Sequence, residues 1–138
     1  MPIRVVRLGD PRLADEGLRI GTVRRPPRGV PKADFASRDF YDVWLPEVAP
    51  SEELLKSGQG AHDADHWRTF TRRYRAEMKQ PEKTHILDLL AALSRATSFS
   101  VGCYCASEER CHRSILRELL LERGAVLICR RAGKEMRK

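Results

Sequence analysis

The chain has no apolar run approaching the ~18 residues needed to span a bilayer. Its first apolar stretch is interrupted by Arg4 and Arg7. Neither a membrane helix nor a signal peptide is expected, and a cytoplasmic protein without membrane contact is the expectation. No internal repeat or low-complexity block occurs, which excludes repeat arrays and disordered linkers. Cysteine is scarce, four in 138 residues. In a cytoplasmic chain such cysteines read as thiols, ligands or core residues before disulfides. Acidic residues are outnumbered, 19 Asp and Glu against 26 Lys and Arg, for a formal charge of +7. From Gly17 to Ala33 there are five basic residues and no acidic one. That balance favours an anionic partner such as a nucleotide, a nucleic acid or a phosphorylated small molecule.

What is present fits one globular unit. Apolar residues make up 41% and charged residues 33%, so the chain is neither disordered nor membrane-embedded. At this length a single core forms without staples. Residues 3–8 are short, apolar and β-branched, and stop at Gly9-Asp10-Pro11, so they predict a strand. Residues 18–23 predict a second and 40–45 a third, the last ended by Pro46. Between them Arg24-Arg25-Pro26-Pro27-Arg28-Gly29-Val30-Pro31 holds too many prolines for regular structure. It reads as a stiff, basic, exposed loop. Ser51 caps a short helix with two acids in its first turn. Trp67, Phe70, Tyr74 and Met78 fall at helical steps, a core-facing stripe. Pro81 reads as the break after it, with Thr84 capping a helix over about 85–96. Trp44 is expected in the core.

Residues 99–105 form the clearest buried strand, with Phe99, Val101, Cys103 and Cys105 on one face by the period of two. Ile115, Leu116, Leu119 and Leu120 mark a last helix, and Gly124 fits its C-terminal cap. Residues 125–129 are a final strand, so a right-handed βαβ crossover is expected. The resulting fold class is a three-layer single α/β domain, a mostly parallel sheet flanked by helices, over residues 1–129. Residues 130–138 form a basic C-terminal tail.

Chemistry concentrates where the 99–105 strand runs into the last helix, through Cys103, Cys105, Arg110, Cys111, His112 and Arg113. In open α/β sheets ligands bind beyond the carboxyl ends of strands, and helix N-termini suit anions. Four readings compete there. In the first, His112 and Arg113 hold an anion together with Arg25, Arg28, Gly29 and Ser51. In the second, Cys111 or Cys105 is a thiol nucleophile with His112 as acid/base or orienting partner. Adjacent helical residues point about 100° apart, so Cys111 and His112 need not touch. A cysteine-phosphatase loop is excluded because Cys105 to Arg110 is five positions, not six. In the third, Cys103, Cys105, Cys111 and His112 ligate a metal. A Cys-x-Cys along a strand is a poor zinc knuckle and a second pair is missing, so no metal and no cofactor is expected. In the fourth, the cysteines are small core hydrophobes, as expected for Cys103 and Cys129. His62, His66 and His85 show no ligand-like arrangement. A non-catalytic nucleic-acid-binding or interaction module is the alternative from another class, but no helix rich in base-reading side chains is seen.

The ordered set of motifs resembles the family of domain of unknown function 488, including its YeaO-like members, over about residues 3–124. The motifs are Arg25-Pro26-Pro27-Arg28-Gly29-Val30, Trp44-Leu45-Pro46-Glu47-Val48-Ala49-Pro50-Ser51, Trp67-Arg68-Thr69-Phe70 through Arg73-Tyr74, and Cys111-His112-Arg113. In the YeaO-like pattern the basic turn reads Arg-Leu-Trp-Pro-Arg-Gly. Here it lacks the tryptophan and is one residue shorter. The Cys-His-Arg triplet is more like that of the longer members. The resemblance implies a small α/β domain with a mostly parallel sheet and supplies no reaction. It places Arg25, Arg28, Gly29, Pro50, Ser51, Cys111, His112 and Arg113 on family motifs.

Overall fold

A computed structural model describes residues 2–58, 64–105, 111–131 and 134–137. The main sheet has four parallel strands in the order β1-β4-β2-β3: β1 is Ile3–Arg7, β2 Leu18–Gly21, β3 Val43–Trp44 and β4 Phe99–Cys103. Strand β4 lies between β1, with Ile3 opposite Phe99, and β2, with Leu18 opposite Phe99. All five of its residues are buried, as expected of a central parallel strand. The helices are α1 (Glu52–Gly58), α2 (Ala64–Glu77), α3 (Pro81–Leu93) and α4 (His112–Glu122). The result is a three-layer α/β domain.

The layers follow from the strand period. Ile3, Val5, Phe99 and Val101 share one core with Leu54, Phe70, Tyr74, Met78, Leu87, Leu90, Ile115, Leu116, Leu119 and Leu120 from the four helices and the turn after α2. The other face is covered by the irregular segment after β1 and by the 3-10 turn at Lys32–Asp34 with the residues after it, whereas the 3-10 turn at Pro46–Val48 buries Val48 in the helix-side core. There Leu8, Val23, Tyr41, Cys103 and Cys111 form a second, smaller core.

Several boundaries differ from the sequence pattern for physical reasons. Pro81 opens α3 rather than separating it from α2, because the first helical position needs no N–H donor; Thr84 then lies inside the helix. Strand β3 is only two residues long, since Pro46 starts a 3-10 turn directly after Leu45. Trp44 is not core: it is 43% exposed, and its Nε1 donates to the Val23 carbonyl at 2.7 Å. Phe70 and Tyr74 are buried as the stripe predicts, and Trp67, half-buried, stacks on Phe70 at 5.3 Å. The crossover from β4 through α4 returns beside β1, where Leu127 bridges Ile3 in parallel. The tail does not simply fray: β5 (Ile128–Arg131) pairs antiparallel with β6 (Lys134–Arg137). Gly124 takes φ +81° as the Gly124 and Ala125 amides close onto Leu121 and Leu120, the glycine-capped ending expected of α4.

One buried charge pair ties the helix-free face together. Arg19 and Glu16 are 1% and 2% exposed and meet at 2.7 Å. Arg19 also donates to the carbonyls of Asp10 and Asp39 at 2.7 Å each, and Ser100 on β4 donates to Glu16 at 2.6 Å. Burial alone would raise the Glu16 carboxyl, but the hydrogen bonds from Arg19 and Ser100 outweigh it and hold it below its ordinary value. A carboxylate depressed in the folded state contributes stability above its unfolded pKa of ~4.3. That contribution is lost as pH falls through the folded value. Glu16→Gln leaves Arg19 buried without its counter-charge, a cost of about 3–5 kcal/mol. Urea unfolding at pH 7 should show that loss. Below about pH 4 the wild-type stability should fall more steeply than the variant's.

Candidate functional site

Strand β4 ends at Cys103, and the next described element, α4, starts at His112 with Cys111 as its N-cap residue. Cys111 has φ −128° and ψ 148°, so it is extended while its neighbour is helical. The 100° spacing within a helix therefore does not separate the two side chains. His112 Nδ1 lies 3.8 Å from Cys111 Sγ. Cys111 Sγ is 2.7 Å from Cys103 Sγ, beyond the ~2.05 Å of a disulfide, and Cys103, Cys105 and Cys111 are free thiols. Cys105 lines the same cavity as Cys103 and His112. Cys103 and Cys111 are buried, whereas Cys105 is exposed just beyond the strand end.

The groups around this cluster set its charge. Burial pushes the His112 imidazole down to about 4, so at neutral pH the ring carries one proton. Its Nε2 lies 2.7 Å from the Thr22 carbonyl, which accepts that proton's hydrogen bond and leaves the Nδ1 lone pair facing Cys111. His112 thus supplies a base or a ligand atom rather than the positive charge expected for an anion site. Arg113 is 4% exposed. Its Nη2 donates to the Cys105 carbonyl at 2.7 Å, and its Nε has no hydrogen-bond partner among the described residues. Hydrogen bonds from Cys103 and Cys111, with help from His112 and Arg113, hold Cys105 far below the usual thiol range. Hydrogen bonding with Cys105 and burial drive Cys103 strongly upward. For Cys111, the lowering hydrogen bond with Cys103 is outweighed by Cys105 and burial, and the thiol rises to about 11. The negative charge of the cluster therefore resides on the exposed sulfur.

Above the cluster opens a cavity of about 340 Å³, lined in part by Arg25, Arg28, Lys56, Cys103, Cys105 and His112. The structure thus brings the basic loop against the β4–α4 junction. Arg24 pins the loop, donating to the Pro50 and Ala49 carbonyls at 3.0 and 3.2 Å. Tyr104 Oη donates to the Arg25 carbonyl at 2.9 Å. Arg25 reaches Glu52 at 3.0 Å, both exposed, while Arg28 is exposed and lines the cavity. Gly29 sits at φ +70° with open space around its Cα, so it supplies the turn rather than a contact.

Ser51 is the member that does not join the cavity. Its Oγ accepts from the Leu54 amide at 3.2 Å, capping α1 as the sequence predicts, and donates to Glu77. Arg113 likewise points to backbone rather than into the cavity. Arg110 and His62 lie outside the described residues, as does the side chain of Cys129. Lys56, Thr22 and Tyr104 were missed by sequence reasoning. Lys56 had no signal beyond its place on an amphipathic turn, and Thr22 acts through its backbone carbonyl.

Residues 3–124 match the family model DUF488-N3a, described as the active DUF488-N3 subclade. This is the span the motifs covered. Among curated proteins, the uncharacterized protein YeaO of Escherichia coli (strain K12) is 37% identical over 83 residues, 60% of this chain and 67% of its own length. No solved structure gives a significant match. No described helix is long and apolar enough to cross a membrane.

The charge distribution predicts one fast thiol among Cys103, Cys105 and Cys111. Iodoacetamide labelling of the metal-free, reduced chain, read per cysteine by mass spectrometry against pH, should show Cys105 reacting with an apparent pKa well under the ~8.5 of a free thiol. Cys103 and Cys111 should label only slowly or on unfolding. An Arg113→Met variant should move the Cys105 profile upward.

Proposed function

We propose that this chain, which belongs to the DUF488 family, binds a small phosphate-bearing or otherwise anionic ligand in the cavity between the Arg25–Arg28 loop and the β4–α4 junction. The observation that carries this reading is the convergence of Arg25, Arg28 and Lys56 on one cavity, with Glu52 the acidic side chain among its lining residues. A volume of about 340 Å³ lies at the low end for ligand sites and suits a phosphate with a small substituent. Two prolines and the anchors from Arg24 and Tyr104 hold the loop in place, so little entropy is lost when its guanidinium groups close on an anion. A planar guanidinium at Arg28 offers paired donors to phosphate oxygens.

A confined set of four cations, Arg24, Arg25, Arg28 and Lys56, favours a pocketed small ligand over a nucleic-acid track. Nucleic-acid binding through many phosphates falls steeply with salt, with a log–log slope near −0.9 per contact. A pocket with two or three contacts gives a shallow slope. A reducing, cytoplasmic setting agrees with three free thiols at one site. The same pocket serves a thiol-dependent reaction if Cys105 is its nucleophile. The observation favouring that second reading is the exposed thiol on the cavity wall beside a buried guanidinium.

Inorganic phosphate and nucleoside monophosphates, titrated by NMR or calorimetry, test the binding. Arg28→Ala and Lys56→Ala should each weaken phosphate binding roughly tenfold, the scale of a lost hydrogen bond to a charged group. Ser51→Ala should leave binding unchanged while lowering stability by about 1 kcal/mol through loss of the helix cap. Unaltered phosphate affinity in an Arg28→Ala, Lys56→Ala double variant contradicts the reading.

A further inference from the structure

We propose that Cys103, Cys105, Cys111 and His112 form a binding site for a soft divalent metal ion, with zinc as the best fit. Cys103, Cys111 and His112 are all buried, and their ligand atoms lie within 4.8 Å of one another. Cys105, two residues beyond the strand end and lining the same cavity as Cys103 and His112, is the candidate fourth donor. Three sulfurs and one imidazole nitrogen are a donor set that selects zinc over magnesium or calcium. The four residues come from the end of a buried strand, the loop beyond it and the cap of a helix. This corner is not the straight Cys-x-Cys of a single strand, the arrangement that argued against a metal in the sequence.

Three further observations fit. The first is the imidazole. A ligating histidine characteristically donates its second nitrogen to a carbonyl or carboxylate, which fixes the tautomer and aims the free nitrogen at the metal. His112 does this through Nε2 and the Thr22 carbonyl, at 2.7 Å, and Nδ1 faces the thiols. The second is spacing. Ligands about 2.3 Å from a tetrahedral zinc stand about 3.8 Å apart. The Cys111–His112 pair is already at 3.8 Å. The Cys103–Cys111 pair, at 2.7 Å, must open by about 1 Å, within reach of small side-chain rotations. The third is charge. Zinc with three thiolates carries a net negative charge. Arg113, buried and held against Cys105 by its hydrogen bond to that residue's carbonyl, is placed to balance it. The balance of the binding step is simple: zinc enters as a dication, the protonated thiols release their protons to solvent, and no electron moves. Affinity should accordingly fall in acid as the thiols reprotonate.

This site does not depend on the anion pocket, but it takes Cys105 away from nucleophilic use. The two thiol readings are therefore separable. The full-length chain, reduced and then given zinc or cobalt(II), is dialysed against metal-free buffer. The site predicts a stoichiometric zinc that stays bound. With cobalt(II) it predicts strong visible absorption of tetrahedral type and a near-ultraviolet thiolate charge-transfer band. Cys111→Ser and His112→Gln should each lower metal affinity at least tenfold, whereas Arg28→Ala should keep the metal while losing phosphate. Because a substitution in this buried corner could unfold the domain, the wild-type chain supplies a second readout. Zinc should suppress iodoacetamide labelling of Cys105, EDTA should restore it, and the melting temperature should rise with zinc. A reduced wild-type chain that leaves dialysis without metal overturns the proposal, as does an octahedral cobalt spectrum. Cys105 labelling that is indifferent to zinc overturns it equally and leaves the nucleophile reading in place.

Discussion

A guanidinium sealed from water organises the face of the sheet that carries no helix. Arg19 projects from β2 into a space closed by the segment after β1 and by the turn before β3. In that space its charge is tolerable only because Glu16 neutralises it and the Asp10 and Asp39 carbonyls take its remaining donors. A buried ion pair adds little net stability over apolar packing, but removing one partner is severe. Its value here lies in position. The same pair holds Ser100 of the central strand and draws two irregular segments onto the sheet. Nearby, the carboxylate of Asp42 accepts from the Arg19 amide at 2.8 Å. A layer without regular secondary structure is thus fixed by directional bonds instead of by a hydrophobic stripe.

The candidate site depends on that arrangement from the other direction. With the irregular layer in place, Tyr41 and Val23 pack beside Cys103 and Cys111 in the second core, and the basic loop can lie along the end of β4. The Thr22 amide bonds to the Gly102 carbonyl at 2.9 Å, so β2 and β4 are still in register where the chain turns into the loop. That register delivers the Thr22 carbonyl to His112. One backbone carbonyl therefore links the sheet to the protonation of the imidazole and to the direction in which its free nitrogen points. The site is built at the junction of two cores. This accounts for its mixture of buried thiols, a neutral ring and cations at a solvent-facing mouth.

Charge within the site is unevenly shared for the same reason. Two of three thiols are enclosed and resist ionisation, while the third lies at the strand's open end with a buried arginine behind it. In the free protein this concentrates negative charge on Cys105. On metal binding the same geometry would spread it over three sulfurs. The basic rim of Arg25, Arg28 and Lys56 stands outside the cluster on the same cavity. The proposed anion site and the thiol cluster therefore occupy the rim and the floor of one cavity, separable by substitution at either.

Much of this was written in local sequence. Alternation and turn residues placed β1, β2 and β4, helical spacing placed Phe70, Tyr74 and the α4 stripe, and Gly124 and Ser51 marked a helix end and a helix start. These features depend on a few neighbouring residues, so a pattern of period two or 3.6 is enough to reveal them. The motif at Cys111-His112-Arg113 was also visible as a place where chemistry gathers. Its roles were not. Whether Cys111 touches His112 depends on the extended backbone at a cap, and whether His112 is charged depends on burial and on a carbonyl 90 residues away. Whether Arg25 and Cys105 share a cavity depends on which strands are neighbours. Trp44 looked like core because it is large and apolar, yet β3 is an edge strand and leaves it 43% exposed. Sequence determined the elements, because those are set by local periodicity and backbone sterics. Only the tertiary structure decided protonation, partnership and access, because each is fixed by groups that the chain brings together from far apart.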